Sequence, residues 1–126
     1  MNVTVPARTN QRDRVALQAF ERIAAAWHLS ILDQRTVLGG VPKTTYDRWR
    51  RRPESSNLAP DTMERVSHVL GIYKALHVIF TDAAHADSWI DEPNSRFGGA
   101  TAKAHMLGSF TQLVETRRYL DAVRGS

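Results

Sequence analysis

The chain has 126 residues, 24% of them charged, a formal net charge of +4 and no cysteine. That length holds one compact unit or two small sub-domains sharing a core. The missing cysteine excludes disulfides and thiolate metal sites, and no apolar run approaches the roughly 20 residues that span a bilayer.

The opening "MNVTVPARTNQRDR" has no apolar stretch of the kind a secretory signal needs, so a cytoplasmic protein is expected. The charge is uneven. Residues 1–60 hold ten Lys/Arg against five Asp/Glu, giving +5, and residues 61–126 hold seven against eight, giving −1. A polyanion, nucleic acid first, is the expected partner of the first half; a general solubility bias is the alternative.

Residues 1–12 carry no apolar period and read as a mobile arm. From Asp13 the pattern is helical, with Val15, Leu17, Phe20, Ile23, Ala24 and Trp27 on the inner face. Ser30 is the expected N-cap of a second helix, "ILDQRTVL", which Gly39-Gly40 ends. Pro42 suits the first turn of a third helix, and "PESSNLAP" (53–60) reads as a loop. Asp61 with Glu64 has capping-box spacing for a fourth helix, expected to bend near Gly71. "DAAHADSWI" predicts a short helix. Beyond the irregular stretch "WIDEPNSRFGG" (89–99), "ATAKAHML" and "SFTQLVETRRYLDAVRG" predict two more, the last capped by Ser109 with Gln112 and stopped at Gly125. Its apolar residues Phe110, Leu113, Val114, Leu120 and Val123 predict a buried face. No strand-like alternation appears, so the class is all-α.

The stretch "LDQRTVLGGVPKTTYDRWRRR" has the layout of a helix-turn-helix. Tyr46 and Trp49 share one face and should pack inward. Lys43, Thr44, Thr45, Arg48, Arg51 and Arg52 then face outward. Residues near the helix N-terminus would meet base edges, and the Arg48 guanidinium can span two acceptors of a guanine. Arg50, Arg51 and Arg52 at the far end suit phosphates, which position without specifying. An ordinary solvated face is the competing reading of "RWRRR". Residues 13–52 resemble the Xre-like helix-turn-helix domains of bacterial repressors and antitoxins.

In the second half, Trp89, Pro93, Asn94, Phe97, Gly98, Gly99 and Thr101 resemble the signature of the Xre/MbcA/ParS antitoxin family. "MLGSFTQLVETRRYLDAVRG" is similar to that family's terminal helix. Phe97 stands where Leu is common and Ala102 where Pro is common. The residues alone make "WIDEPNSRFGG" a rigid connector: Pro93 restricts Glu92, Asn94 can bond its own backbone, and the glycines permit positive φ.

The resemblance implies an Xre-like helix-turn-helix domain (13–60) packed with a helical domain (61–126) for dimerisation and toxin binding. It also implies a function: an antitoxin that binds a RES-domain toxin, an enzyme consuming NAD⁺, and obstructs its active-site entrance. The same protein would repress its own operon through operator DNA as a homodimer. By that analogy Arg117, Arg118, Tyr119 and Arg124 are the toxin-binding candidates, with helix-end charge complementation as the plainer role of the arginines. A stand-alone regulator without a toxin is the alternative.

Nothing in the spacing calls for an enzyme, a cofactor or a metal. The five histidines show no HxxxH or HExxH pattern, and Gly98-Gly99 lacks the Lys of a P-loop. Asp82 and His85, three apart, could share a face with Trp89; an exposed polar patch is the simpler reading.

Overall fold

Seven α-helices account for the fold, seen in a computed structural model that describes residues 7–125: α1 (Ala7–Ala26), α2 (Ile31–Val37), α3 (Lys43–Arg51), α4 (Pro60–Ile79), α5 (Ala83–Ser88), α6 (Ala102–Gly108) and α7 (Phe110–Gly125). Among these residues there is no strand, and no helix is long and apolar enough to cross a membrane. The all-α class stands. The expected arm is shorter than its composition implies, since α1 already begins at Ala7; residues 1–6 of that arm lie outside the described residues.

α1 buries Leu17, Phe20, Ile23, Ala24 and Trp27. Leu17, Phe20 and Ile23 each contribute roughly 1.5–3 kcal/mol of burial. Val15, expected inside, is 55% exposed: two residues before Leu17 is about 200° round the helix, the far side. Asp13 takes an inner place instead, and its Oδ2 accepts the Leu58 N–H at 3.0 Å. This bond ties α1 to the loop before α4. His28 ends α1 at φ 55°, a left-handed position held by a non-glycine residue, with Leu29 N–H returning to the Ala24 carbonyl at 2.9 Å.

α4 is the central strut. Thr62, Val66, Val69, Ile72, Ala75 and Leu76 are buried, and the helix packs on α1, α5 and α7. It starts at Pro60, one residue before the expected cap. Ala59 occupies the cap position without a side-chain bond, and Asp61 lies in the first turn, where its charge favours the helix N-terminus. The helix is unbroken at Gly71. That glycine serves a neighbour: a Cβ there would stand 2.5 Å from Arg117 Nε, so its absence lets the Arg117 side chain lie on α4. α6 packs on both α7 and α2, so the two halves share one core.

Candidate functional site

The turn between α2 and α3 is built as its glycines require. Ser30 caps α2 through Asp33 N–H at 3.0 Å. Gly39 and Gly40 lie at φ 101° and 83°, and Gly40 N–H returns to the Arg35 carbonyl at 2.8 Å. The Arg35 side chain closes the turn by donating to the Val41 carbonyl at 2.8 Å. Pro42 precedes α3 rather than entering its first turn: at ψ 145° it is extended, and its carbonyl accepts from Tyr46 N–H.

Tyr46 and Trp49 are buried as expected, in edge-to-face contact with ring centroids 6.4 Å apart. The Tyr46 hydroxyl donates to Gln34 Oε1 at 2.6 Å, and Gln34 Nε2 donates to the Leu29 carbonyl at 2.9 Å. This buried polar link runs from the end of α1 through α2 to α3. Burial, helped by the nearby Glu21 charge, raises the phenol pKa well above its usual value, so the hydroxyl stays a donor.

Opposite that core, Lys43, Thr44, Arg48, Arg50, Arg51 and Arg52 are exposed and Thr45 is half-buried. The structure adds an acid, Asp47, between them. Its carboxylate accepts from Lys43 Nζ at 2.9 Å, and that hydrogen bond is the main reason its pKa lies below the ordinary range. Arg51 Nε reaches the Asp47 carbonyl at 3.4 Å. Thr44, Asp47, Arg50 and Arg51 line a notch of about 480 Å³, and Arg48, Arg51 and Arg52 line another of about 420 Å³. Counting only cations passed over Asp47, although its spacing of four from Lys43 was a readable ion-pair signal. The Arg50 charge lowers the pKa of Glu21 on α1 against a larger upward push from burial.

The connector is a folded loop around Asn94. Asn94 N–H donates to the Ala100 carbonyl at 3.0 Å, its own carbonyl accepts from Phe97 and Gly99, and its Oδ1 accepts from Arg96 N–H at 2.9 Å. Pro93 and Thr101 close the loop as an isolated antiparallel bridge. Gly98 and Gly99, at φ 68° and 89°, face open space, so the backbone angle and not close packing demands glycine. Thr101 then caps α6 through Ala104 N–H, a start that needs no proline at Ala102. Trp89 stacks on Tyr119 at 6.4 Å, and Phe97 stacks on His105 at 4.2 Å. Asp82 caps α5, while His85 lies against Phe80 and 3.7 Å from Glu92.

The candidates on α7 divide. Arg117 is engaged inside the fold: its Nη1 lies 3.3 Å from the Ser67 carbonyl and from His68 Nδ1, and its Nε 3.5 Å from Asp121. Arg118 and Arg124 are exposed. Tyr119 is half-buried, with Arg96 over its ring at 5.4 Å. Leu113 and Leu120 are buried, but Val123 is 40% exposed. The expected apolar face therefore ends at Leu120, and the last turn of α7 runs past the core.

Comparison with known proteins agrees with this two-part layout. Residues 6–71 match the family model of the antitoxin Xre-like helix-turn-helix domain, and residues 75–125 match that of the antitoxin Xre/MbcA/ParS C-terminal toxin-binding domain. The chain is 42% identical over 121 residues to the uncharacterized protein y4oB of Sinorhizobium fredii (strain NBRC 101917 / NGR234), covering 95% of this chain and 92% of that one. With a helix-turn-helix in front and the toxin-binding domain behind, the chain belongs to the Xre/MbcA/ParS family, as a DNA-binding antitoxin of a toxin–antitoxin system.

Proposed function

We propose that this antitoxin neutralises a RES-like, NAD⁺-consuming toxin in the cytoplasm and represses its own operon as a homodimer. α7 obstructs the toxin's active-site entrance, and α3 enters the major groove of the operator. The observation that carries the first part is the end of α7. Arg124 is exposed there, beyond the last buried leucine. An exposed guanidinium suits a pocket built for pyrophosphate. Arg117, engaged with α4, holds α7 in place, and Tyr119 carries the contact back to the connector. For the second part, Lys43, Thr44, Thr45 and Arg48 read bases while Arg50, Arg51 and Arg52 contact phosphates. A two-fold operator favours a two-fold protein. The fold offers these helices for binding and has no expected catalytic role.

The test is to express the toxin gene encoded beside this chain, alone and with the chain, and to measure cellular NAD⁺ and growth. Toxin alone should deplete NAD⁺ and stop growth, and co-expression should restore both. Replacing Arg124 by Glu should weaken rescue without touching the core. A neighbouring product that is harmless, or toxic with NAD⁺ unchanged, would sink the RES assignment.

A further inference from the structure

A cleft of about 510 Å³ lies between α7 and the connector, on the face of the toxin-binding domain that the connector builds. Its floor is aromatic: Phe97 lies flat on His105 and edge-on to Tyr119. Arg96 from the connector, over the Tyr119 ring at 5.4 Å, lines it together with Arg118 and Val123 from α7. Among the described residues neither arginine has a carboxylate within ion-pair distance. The acid in the cleft, Glu115, lies 3.6 Å from His105 Nε2, an atom that is buried without a hydrogen bond. Residues 61–126 carry eight acids against seven bases. Arg96 and Arg118 thus bring two guanidiniums without a carboxylate partner into one cleft of a half that is slightly acidic.

From this arrangement we propose that the cleft receives an acidic side chain of the toxin. Its carboxylate sits between Arg96 and Arg118, and an adjacent aliphatic residue lies against Val123. The inference rests on the antitoxin reading above but adds an opposite polarity. There an arginine of this chain enters the toxin; here a carboxylate of the toxin enters this chain. The geometry favours a carboxylate of the toxin over a duplex for two reasons. The floor is apolar and aromatic, which suits a side chain with a flanking aliphatic neighbour rather than a run of phosphates. And Arg96 stands in the segment matched to toxin binding. Arg96 also gives the connector a contact role in addition to its rigid shape.

The experiment uses full-length chain and the toxin encoded beside it, catalytically inactivated, with affinity measured by calorimetry at two salt concentrations. Arg96→Glu should weaken binding by at least about thirtyfold and flatten its salt dependence, while Arg96→Lys should retain most of the affinity. Arg96 is exposed and its ring contact, with Tyr119, lies at the surface, so both variants should stay folded at the assay temperature, with Arg96→Lys melting like the wild type. A scan of toxin surface Asp and Glu residues to Arg should find one change that restores at least about tenfold to the Arg96→Glu chain. The proposal is overturned if Arg96→Glu binds within threefold of wild type, taking threefold as roughly 0.6 kcal/mol, with the antitoxin reading left standing. It is overturned equally if no toxin substitution rescues, or if the variant alters self-association alone. A wild-type chain that does not bind the toxin defeats both readings together.

Discussion

Removing the Tyr46 hydroxyl tests the buried link between α2 and α3. Tyr46→Phe keeps the ring and its contact with Trp49 and deletes one donor. A hydrogen bond is worth about 0.5–1.5 kcal/mol net, and leaving its partner buried and unsatisfied raises the cost to about 1–3 kcal/mol. Gln34 is 9% exposed, and its Nε2 is already committed to the Leu29 carbonyl, so Oε1 cannot turn to water without breaking a second bond. The more apolar Phe ring offsets part of this loss. We expect about 1.5 kcal/mol of destabilisation, a little over tenfold in the folding equilibrium. At this chain length that lowers the melting temperature by about 6 °C. Denaturant unfolding and calorimetry measure it directly. Operator affinity, measured well below the melting transition, should fall as well, because the angle of α3 loses its polar link to α2. A melting point within about 1 °C of wild type, less than about 0.5 kcal/mol, would refute the claim that this bond holds the two helices in register.

The other expectations concern charge and backbone. Arg48→Ala should weaken operator binding by about 1–3 kcal/mol in gel-shift titrations and leave toxin affinity unchanged; equal loss of both would mean that the two surfaces do not act separately. Asp47→Asn removes a negative charge facing the duplex and frees Lys43. Affinity for random duplex should rise, and the log–log salt slope should steepen by about 0.9 if Lys43 takes up a phosphate; an unchanged slope would show that it does not. His68 has a lowered pKa, first through burial and then through the Arg117 charge. The unfolded chain therefore binds this proton first. Stability should be full above the ordinary histidine value of 6.5 and should fall as pH drops from there toward the lower folded value. His68→Gln should flatten that part of the unfolding-versus-pH curve, and an identical curve would refute it. His28→Gly should stabilise the fold by about 0.5–1 kcal/mol by relieving the left-handed backbone position, read as a higher melting temperature; a loss of stability would mean that the imidazole makes up for the strain.

How far the sequence led depended on how local each feature is. Tyr46 and Trp49 could be placed because three residues is nearly one helical turn, and Gly39-Gly40 because a left-handed turn demands glycine. The connector was readable for the same reason: Asn94 and the two glycines act on backbone within a few residues. Val15 misled because it lies about 200° round α1 from Leu17, and Val123 because an apolar residue near a helix end need not be covered by its own fold. Arg117 was beyond reach because its partners, Ser67 and His68, are some 50 positions away and depend on the register of α7 against α4. Arg96, His105 and Arg118 form one cleft only after the connector has folded back on itself. No spacing in the chain announces that. Pro60 displaced Asp61 as the start of α4 because a proline at the first helical position needs no N–H partner, a competition that composition leaves open.

The two family matches meet between residues 71 and 75, inside the unbroken helix α4. A boundary there cannot serve as a cutting point. Cleaving at it would strip Val66 and Val69 from Ile72 and Leu76 on one continuous buried stripe. Neither half would keep its core, so a free DNA-binding fragment and a free toxin-binding fragment should both be poor folders. The practical consequence is for survival of the host cell. If the chain represses its own operon and neutralises a toxin as proposed, a protease needs only one nick in α4, or one unfolding event, to remove both at the same moment. Toxin release and renewed transcription of the operon would then begin together, timed by the lifetime of a single helix.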